Sequence, residues 1–418
     1  MPSFLSDYIH YTSGNECPKN WHFWSGFSCL ACALQKRVYL RNGYFTITPQ
    51  LYTCLVGPQG DKKTTAKNIA YDMVVEALPT LPIGAAMWTC QDIVKNMAAD
   101  DYERVYTDEH GTQVSHRPLA LFVNELKNFM GISPSMMINF LTDIWDKKMF
   151  DAGTIKRGLE VIMNPCINIL ACETPEWIIQ NLKLNIISGG FARRVMFILA
   201  EDEGKRIPFP EVLQDMALAR KRCIEHLRKI STIVGGFQYE PDARDFYSKW
   251  YRERVIPSDS PILGYLKSKP EFVLKLAMLI EMSEYSPRLI IRKDSIEEAM
   301  AHLELAEITM PKLFLASGRN ELAQHQQALL EHIKKLNGKI STKEVKKFLE
   351  NNMSRMEVLS TIEWLKETDR LIERDHILWL PEKYGELLEK QKAAKSNSTL
   401  TLTPPPPPTP TPSSIPQA

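Results

Sequence analysis

The stretch Leu51-Tyr52-Thr53-Cys54-Leu55-Val56-Gly57-Pro58-Gln59-Gly60-Asp61-Lys62-Lys63-Thr64-Thr65 decides how this chain is read. Its apolar run stops at Gly57, as a buried parallel strand should. A glycine-containing turn follows, and a helix is expected to begin near Lys63. Against the pattern G-x-x-x-x-G-K-[ST] the stretch matches at Gly57, Lys63 and Thr64, while Lys62 stands in place of the second glycine. A helix starting here points its first amides and its positive dipole end into the turn, which makes an anion site. In that context Lys63 reaches β- and γ-phosphates and the Thr64 hydroxyl holds Mg²⁺. Gly57, Gly60, Lys62, Lys63, Thr64 and Thr65 are the candidate nucleotide contacts. Lys62 must avoid positive φ or accept strain. The competing reading is a surface loop that happens to carry lysines.

Three later segments run from a strand into a polar tip, or from a turn into a strand. Leu119–Val123 ends in Asn124-Glu125. There Glu125 is placed to position or deprotonate an attacking water, and Asn124 to orient a magnesium-bound water without adding charge. Capping the next helix is the competing role for Glu125. Ile167–Cys172 runs into Glu173-Thr174-Pro175, where Thr174 is the candidate to hydrogen-bond the γ-phosphate or the water. A helix cap before Pro175 competes with that role. Ser188-Gly189-Gly190-Phe191-Ala192-Arg193-Arg194 enters the strand Val195–Leu199, and Arg194 would present a guanidinium to developing phosphoryl charge in a neighbouring subunit. A solvated arginine pair is the alternative.

Length and composition frame these motifs. The chain has 418 residues, with 51 Lys plus Arg against 50 Asp plus Glu and a net charge of +1. At 44% hydrophobic and 24% charged residues it falls near the globular average, which excludes a wholly disordered chain, a collagen or a coiled-coil rod. A neutral sum does not exclude nucleic acid, which needs only a local basic surface. No apolar run approaches membrane-span length, and Met1–Asp7 lacks a secretory layout, so a soluble cytoplasmic protein is expected. The eight cysteines are expected to be reduced, and Cys29-Leu30-Ala31-Cys32 reads as helical core rather than a zinc half-site.

The expected fold class is α/β. Residues 1–206 read as the α/β core with an amino-terminal helical segment, and 207–319, where only helical periodicity is visible, as a helical domain. Residues 320–385 read as three helices and a terminal hairpin, a winged helix-turn-helix whose Ser341-Thr342-Lys343-Glu344 forms a capping box. Residues 386–418, which include five consecutive prolines from Pro404, read as a disordered Pro/Thr/Ser-rich tail.

With these elements in order, the chain resembles the helicase-like P-loop ATPases of phages and integrative elements. Those proteins are primase-associated and distantly related to minichromosome-maintenance and other AAA+ replicative helicases. The resembling stretches are Pro49–Tyr52 with Gly57–Thr65, Phe122–Glu125, Asn164–Ala171 with Thr174–Trp177, and Gly190–Arg194. The resemblance implies an AAA+-like P-loop core in which Lys63 and Thr64 are the Walker A lysine and hydroxyl. It makes Glu125 the Walker B glutamate, Thr174 the first sensor and Arg194 the family's conserved-pattern arginine. It further implies ATP and Mg²⁺, a homo-oligomeric ring (a hexamer), and single-stranded or forked DNA as partner, with a separately encoded primase beside it. A hairpin before the first sensor would then point into the ring channel, with Lys147, Lys148, Lys156 and Arg157 on phosphates. Other readings are a AAA+-type ATPase that loads or remodels a replication protein, and a non-hydrolysing DNA-binding adaptor.

Overall fold

Nearly every residue of Lys19–Leu34 is buried, including Trp21, Trp24, Phe27 and Leu30. A helix apolar on all sides belongs inside a core rather than on a surface. The computed structural model describes residues 2–85, 87–131, 134–154, 158–181, 190–201, 203–258, 260–349 and 355–398. Cys29 and Cys32 lie in that helix with 0% and 2% exposure, and burial pushes the Cys29 thiol well up. The preceding helix Phe4–Thr12 starts with a capping box between Ser3 and Ser6.

Strands β1 (Val38–Asn42) and β2 (Phe45–Ile47) then form an antiparallel hairpin that turns at Gly43, where φ is +60°. β3 (Tyr52–Val56) is buried at all five positions, as its apolar run requires. Next come β4 (Arg104–Thr107), β5 (Gln113–Val123), the hairpin β6 (Met149–Thr154) and β7 (Gly158–Met163), β8 (Pro165–Glu173) and β9 (Val195–Leu199). The central sheet has the order β4-β5-β8-β3-β9, and only β4 is antiparallel. Beside β5, Ile83 makes a single parallel bridge to Ala120, with the Ala120 amide donating to Pro82 and the Gly84 amide to Ala120, both at 3.0 Å.

The segment 207–319, expected to be all-helical, also contributes β10 (Gly235–Tyr239) and β11 (Ile290–Ile291). These join the amino-terminal hairpin in a second sheet of order β11-β10-β1-β2, where β10 lies parallel to β1. Helical periodicity missed them because a five- and a two-residue strand carry too little pattern, and their partners lie far away in sequence. The helices Gln214–Ile230, Pro241–Glu253 and Leu263–Ser283 are as the periodicity predicts, with Phe272, Leu276, Leu279 and Ile280 buried. Among the described residues no helix is long and apolar enough to cross a membrane.

The chain divides into two compact units, Met1–Gly318 and Arg319–Ala418. The second has its own core of Leu329, Ile333, Ile340, Val345, Val358, Leu365 and Leu378 among others. Here the last turn of the helix Lys293–Lys335 closes at Asn337 and Gly338, both at positive φ, with the Gly338 amide on the Ile333 carbonyl at 2.9 Å. β12 (Lys339–Ser341) follows, unforeseen because it is three residues long. Ser341 and Glu344 form the expected capping box for Thr342–Leu349. The helix Arg355–Glu367 leads to β13 (Ile372–Arg374) and β14 (Ile377–Trp379), and the antiparallel order is β12-β14-β13. Pro381–Ser398 is helical, so helix extends into the expected tail; residues 399–418, with the proline run, lie outside the described residues.

Candidate active site

β3, β5 and β8 run parallel, so their carboxyl ends share one edge of the sheet. Register makes this concrete: Val56 is opposite Glu173 and Val123 is opposite Ala171. Gly57, the Asn124-Glu125 pair and Glu173-Thr174 are therefore neighbours. The Gly57 amide donates to the Glu173 carbonyl at 3.3 Å. A Cβ on Gly57 would come within 2.6 Å of the Trp21 ring, so the loop passes closer to that indole than alanine allows. Trp21 cannot readily yield, because its indole N–H is fixed on the Ile198 carbonyl at 2.9 Å.

Lys62 resolves the question its sequence position raised. It takes the left-handed conformation, with φ 60° and ψ 21°, and caps the helix Lys63–Ala77 without a side-chain acceptor. Its carbonyl accepts the Cys17 thiol at 3.2 Å, and its ammonium pairs with Glu16. The Lys63 side chain is 8% exposed and donates to the carbonyls of Gly57 at 2.6 Å and Pro58 at 2.5 Å. The amides of Lys63 and Thr64 donate to no described acceptor. A buried ammonium and two open first-turn amides thus converge on the loop, with Thr64 and Thr65 exposed beside them.

Glu125 is half-buried and stands at the start of Leu126–Met130, but its carboxylate does not cap that helix. It accepts the Asn128 side-chain Nδ2 at 2.9 Å and pairs with Lys127 at 3.2 Å. Asn124 is exposed. Thr174 does cap, accepting the Trp177 amide at 3.4 Å. Glu173, passed over in the sequence in favour of Thr174, is the buried acid of the site at 3% exposure. Its carboxylate accepts the backbone amides of Lys127 at 2.7 Å and Thr174 at 2.8 Å. An acid at the last residue of an apolar strand was the available signal. Behind the site, burial pushes the Cys172 thiol up to about 12, countered by Lys67 and Lys63.

The remaining candidates fall elsewhere. Arg194 precedes Val195, which is opposite Tyr52, so it sits at the amino edge of the sheet. The five residues of β3 separate it from the loop by roughly 16 Å at about 3.3 Å each. Its guanidinium donates to the Gly190 carbonyl at 2.7 Å, and its Nε is buried without a partner. Lys147 and Lys148 are exposed at the base of the β6–β7 hairpin, on that same amino edge. Lys156 and Arg157 lie outside the described residues, as do Ser188 and Gly189. Among the described residues no three or more His, Cys, Asp or Glu side chains form a metal-holding group.

The chain matches no protein-family model and no curated protein.

Proposed function

We propose that the first unit is a P-loop ATPase of the AAA+ kind that drives a DNA helicase or translocase, working as a homo-oligomeric ring in phage or mobile-element replication. One observation carries the reading: the buried Lys63 ammonium, held on loop carbonyls, beside first-turn amides that have no acceptor. An ammonium this buried is costly unless an anion joins it. Triphosphate oxygens supply that charge, and Lys63 exchanges its two carbonyls for β- and γ-phosphate contacts. β8 lies between β3 and β5, which supports a site where groups from three strands meet.

Glu125 then orients and deprotonates the attacking water. Its contacts with Lys127 and Asn128 hold it beside the loop until substrate arrives. Glu173 works on the frame, fixing the Asn124-Glu125 turn against the loop. Bound Mg²⁺ would neutralise charge building on the β- and γ-phosphate oxygens. Thr64 and Asn124 suit it: both are exposed neutral oxygen donors, and such an ion keeps several waters and leans on the nucleotide. The position of Arg194 far from its own loop supports service to a neighbour's nucleotide. Its contact with Gly190 would have to open.

The second unit reads as a winged helix-turn-helix, with the β13–β14 turn at Asp375-His376 as the wing. Lys334, Lys335, Lys339, Lys343, Lys346 and Lys347 are all exposed on it, which supports phosphate contacts without base reading. The deciding experiment is ATP turnover with and without single-stranded DNA. Lys63→Ala is expected to lose nucleotide binding, and Glu125→Gln to bind ATP without turning it over. Equal turnover by wild type and both variants defeats the reading.

A further inference from the structure

A cleft of about 1160 Å³ in the first unit lies on the sheet edge opposite the Gly57–Lys62 loop. Its floor includes Thr48 before β3, Asn164 before β8 and Arg193 before β9. One wall is the helix Pro241–Glu253. Arg244, Ser248 and Arg252 are four residues apart there and share its face toward the cleft. The other wall is the β1–β2 hairpin. Eight basic side chains line the cleft against the three carboxylates of Asp108, Asp146 and Glu271. Among the described residues, Arg41, Arg193, Arg244, Arg252 and Lys267 form no ion pair. So many unpaired cations facing one another in a concavity repel, and a polyanion relieves them.

Aromatic rings stand at the same rim. Just past Gly43 at the hairpin tip, Tyr44 and Phe45 are 102% and 72% exposed, and Tyr251 on the opposite wall is 49% exposed. Large apolar side chains gain nothing from water, and Tyr44 and Phe45 stand largely uncovered, while the Tyr251 ring carries the Arg254 guanidinium at 4.6 Å. Unpaired bases offer flat apolar faces that suit such rings, whereas a duplex keeps its bases stacked on one another.

We propose that this cleft binds single-stranded nucleic acid, with phosphates on Arg193, Arg244 and Arg252 and bases against Tyr44, Phe45 and Tyr251. It thereby names where the strand of the proposed motor runs, and it rests on that reading for its role; the binding itself is read from the cleft. Lys147 and Lys148 join the same lining, so the exposed basic pair expected to grip phosphates contributes here.

The test is fluorescence anisotropy of labelled oligo(dT) and oligo(U), without nucleotide, on the full chain. Two double variants are compared with wild type, Arg244→Ala/Arg252→Ala and Tyr44→Ala/Phe45→Ala, with thermal melts reporting folding. The arginine pair is expected to weaken binding about tenfold or more and to flatten its salt dependence by roughly one to two charges. The aromatic pair is expected to weaken it about tenfold. Inorganic polyphosphate and duplex DNA should bind the wild type at least about tenfold more weakly than a single strand, and the tighter of oligo(dT) and oligo(U) names the polymer. Unchanged affinity in both double variants, or equal binding of duplex or polyphosphate, overturns the proposal. Strand binding lost in the variants but no ATP turnover would sink the motor and keep the cleft. Turnover with unaltered strand binding would do the reverse.

Discussion

The carboxylate of Glu173 accepts the backbone amide of Lys127 at 2.7 Å, tying the tip of β8 to the turn that carries Asn124 and Glu125. The same residue's carbonyl accepts the Gly57 amide. One buried acid therefore spaces the loop after β3 and the turn after β5.

Removing that acid should cost stability as well as geometry. Glu173→Ala strands the part-buried amides of Lys127 and Thr174, and a loss of about 2–4 kcal/mol is expected in urea denaturation. Glu173→Gln, which keeps one acceptor oxygen, should lose less. A change below about 0.5 kcal/mol in the alanine variant would show that water serves these amides equally well.

Lys62 offers a test of backbone strain. At φ 60° glycine is free of the penalty that a side chain carries there. Lys62→Gly should hold or raise the unfolding free energy, by up to about 1 kcal/mol, although the Glu16 pair is lost. Lys62→Val, β-branched at the same φ, should lose at least about 1 kcal/mol. The reverse order would place the strain elsewhere.

Arg194 lies at the far edge of its own sheet, so its contribution to turnover is expected only across subunits. Arg194→Ala and Glu125→Gln proteins, each inactive alone, should regain part of the activity when mixed. Full turnover by an Arg194→Ala monomer would contradict this. A thermal melt of the variant separates loss of the Gly190 contact from loss of catalysis.

Acid should destabilise the fold before carboxylates titrate. Burial pulls the imidazoles of His22 and His116 from 6.5 down to about 4. The unfolded chain protonates both near pH 6.5, so below that pH the unfolded state binds more protons and stability falls until about pH 4. Each contributes about 3 kcal/mol over that window. Asp7 extends the loss below about pH 4. Burial alone would raise its carboxyl, but Arg222 and Tyr285 hydrogen bonds hold it below the ordinary value, so its stabilisation disappears as it protonates. Urea midpoints from pH 7 to 4 check the window. Burial lowers the His226 imidazole as well, so His116→Gln should make the decline between pH 6.5 and 4 shallower by roughly a third to a half.

The two cores share no residue, so they are expected to unfold as separate transitions. Calorimetry of the full chain should show two. Cutting the chain after Gly318 should remove only the second; a single merged transition would contradict independent cores.

Local pattern was enough for several elements, because period and capping are encoded within a few residues. The strand Val195–Leu199, the strand ending at Val56, the helix beginning at Lys63 and the Ser341–Glu344 capping box all stand as their residues predict. So does the burial of Cys29 and Cys32, since apolar residues on every side of a helix leave no face for water. Other features depend on contacts between residues far apart. The pairing of β10 with β1, the Trp21 ring against Gly57 and the inward turn of Glu173 have no local signature, because each partner is specified by another segment. The two edges of the sheet also had to wait for topology. Parallel strands send all their ends to one side and all their starts to the other, which separates Arg194 and the basic cleft from Lys63 by the length of β3. Sequence named the charged residues; only the tertiary structure decided which of them share an edge, because strand direction and order sort them.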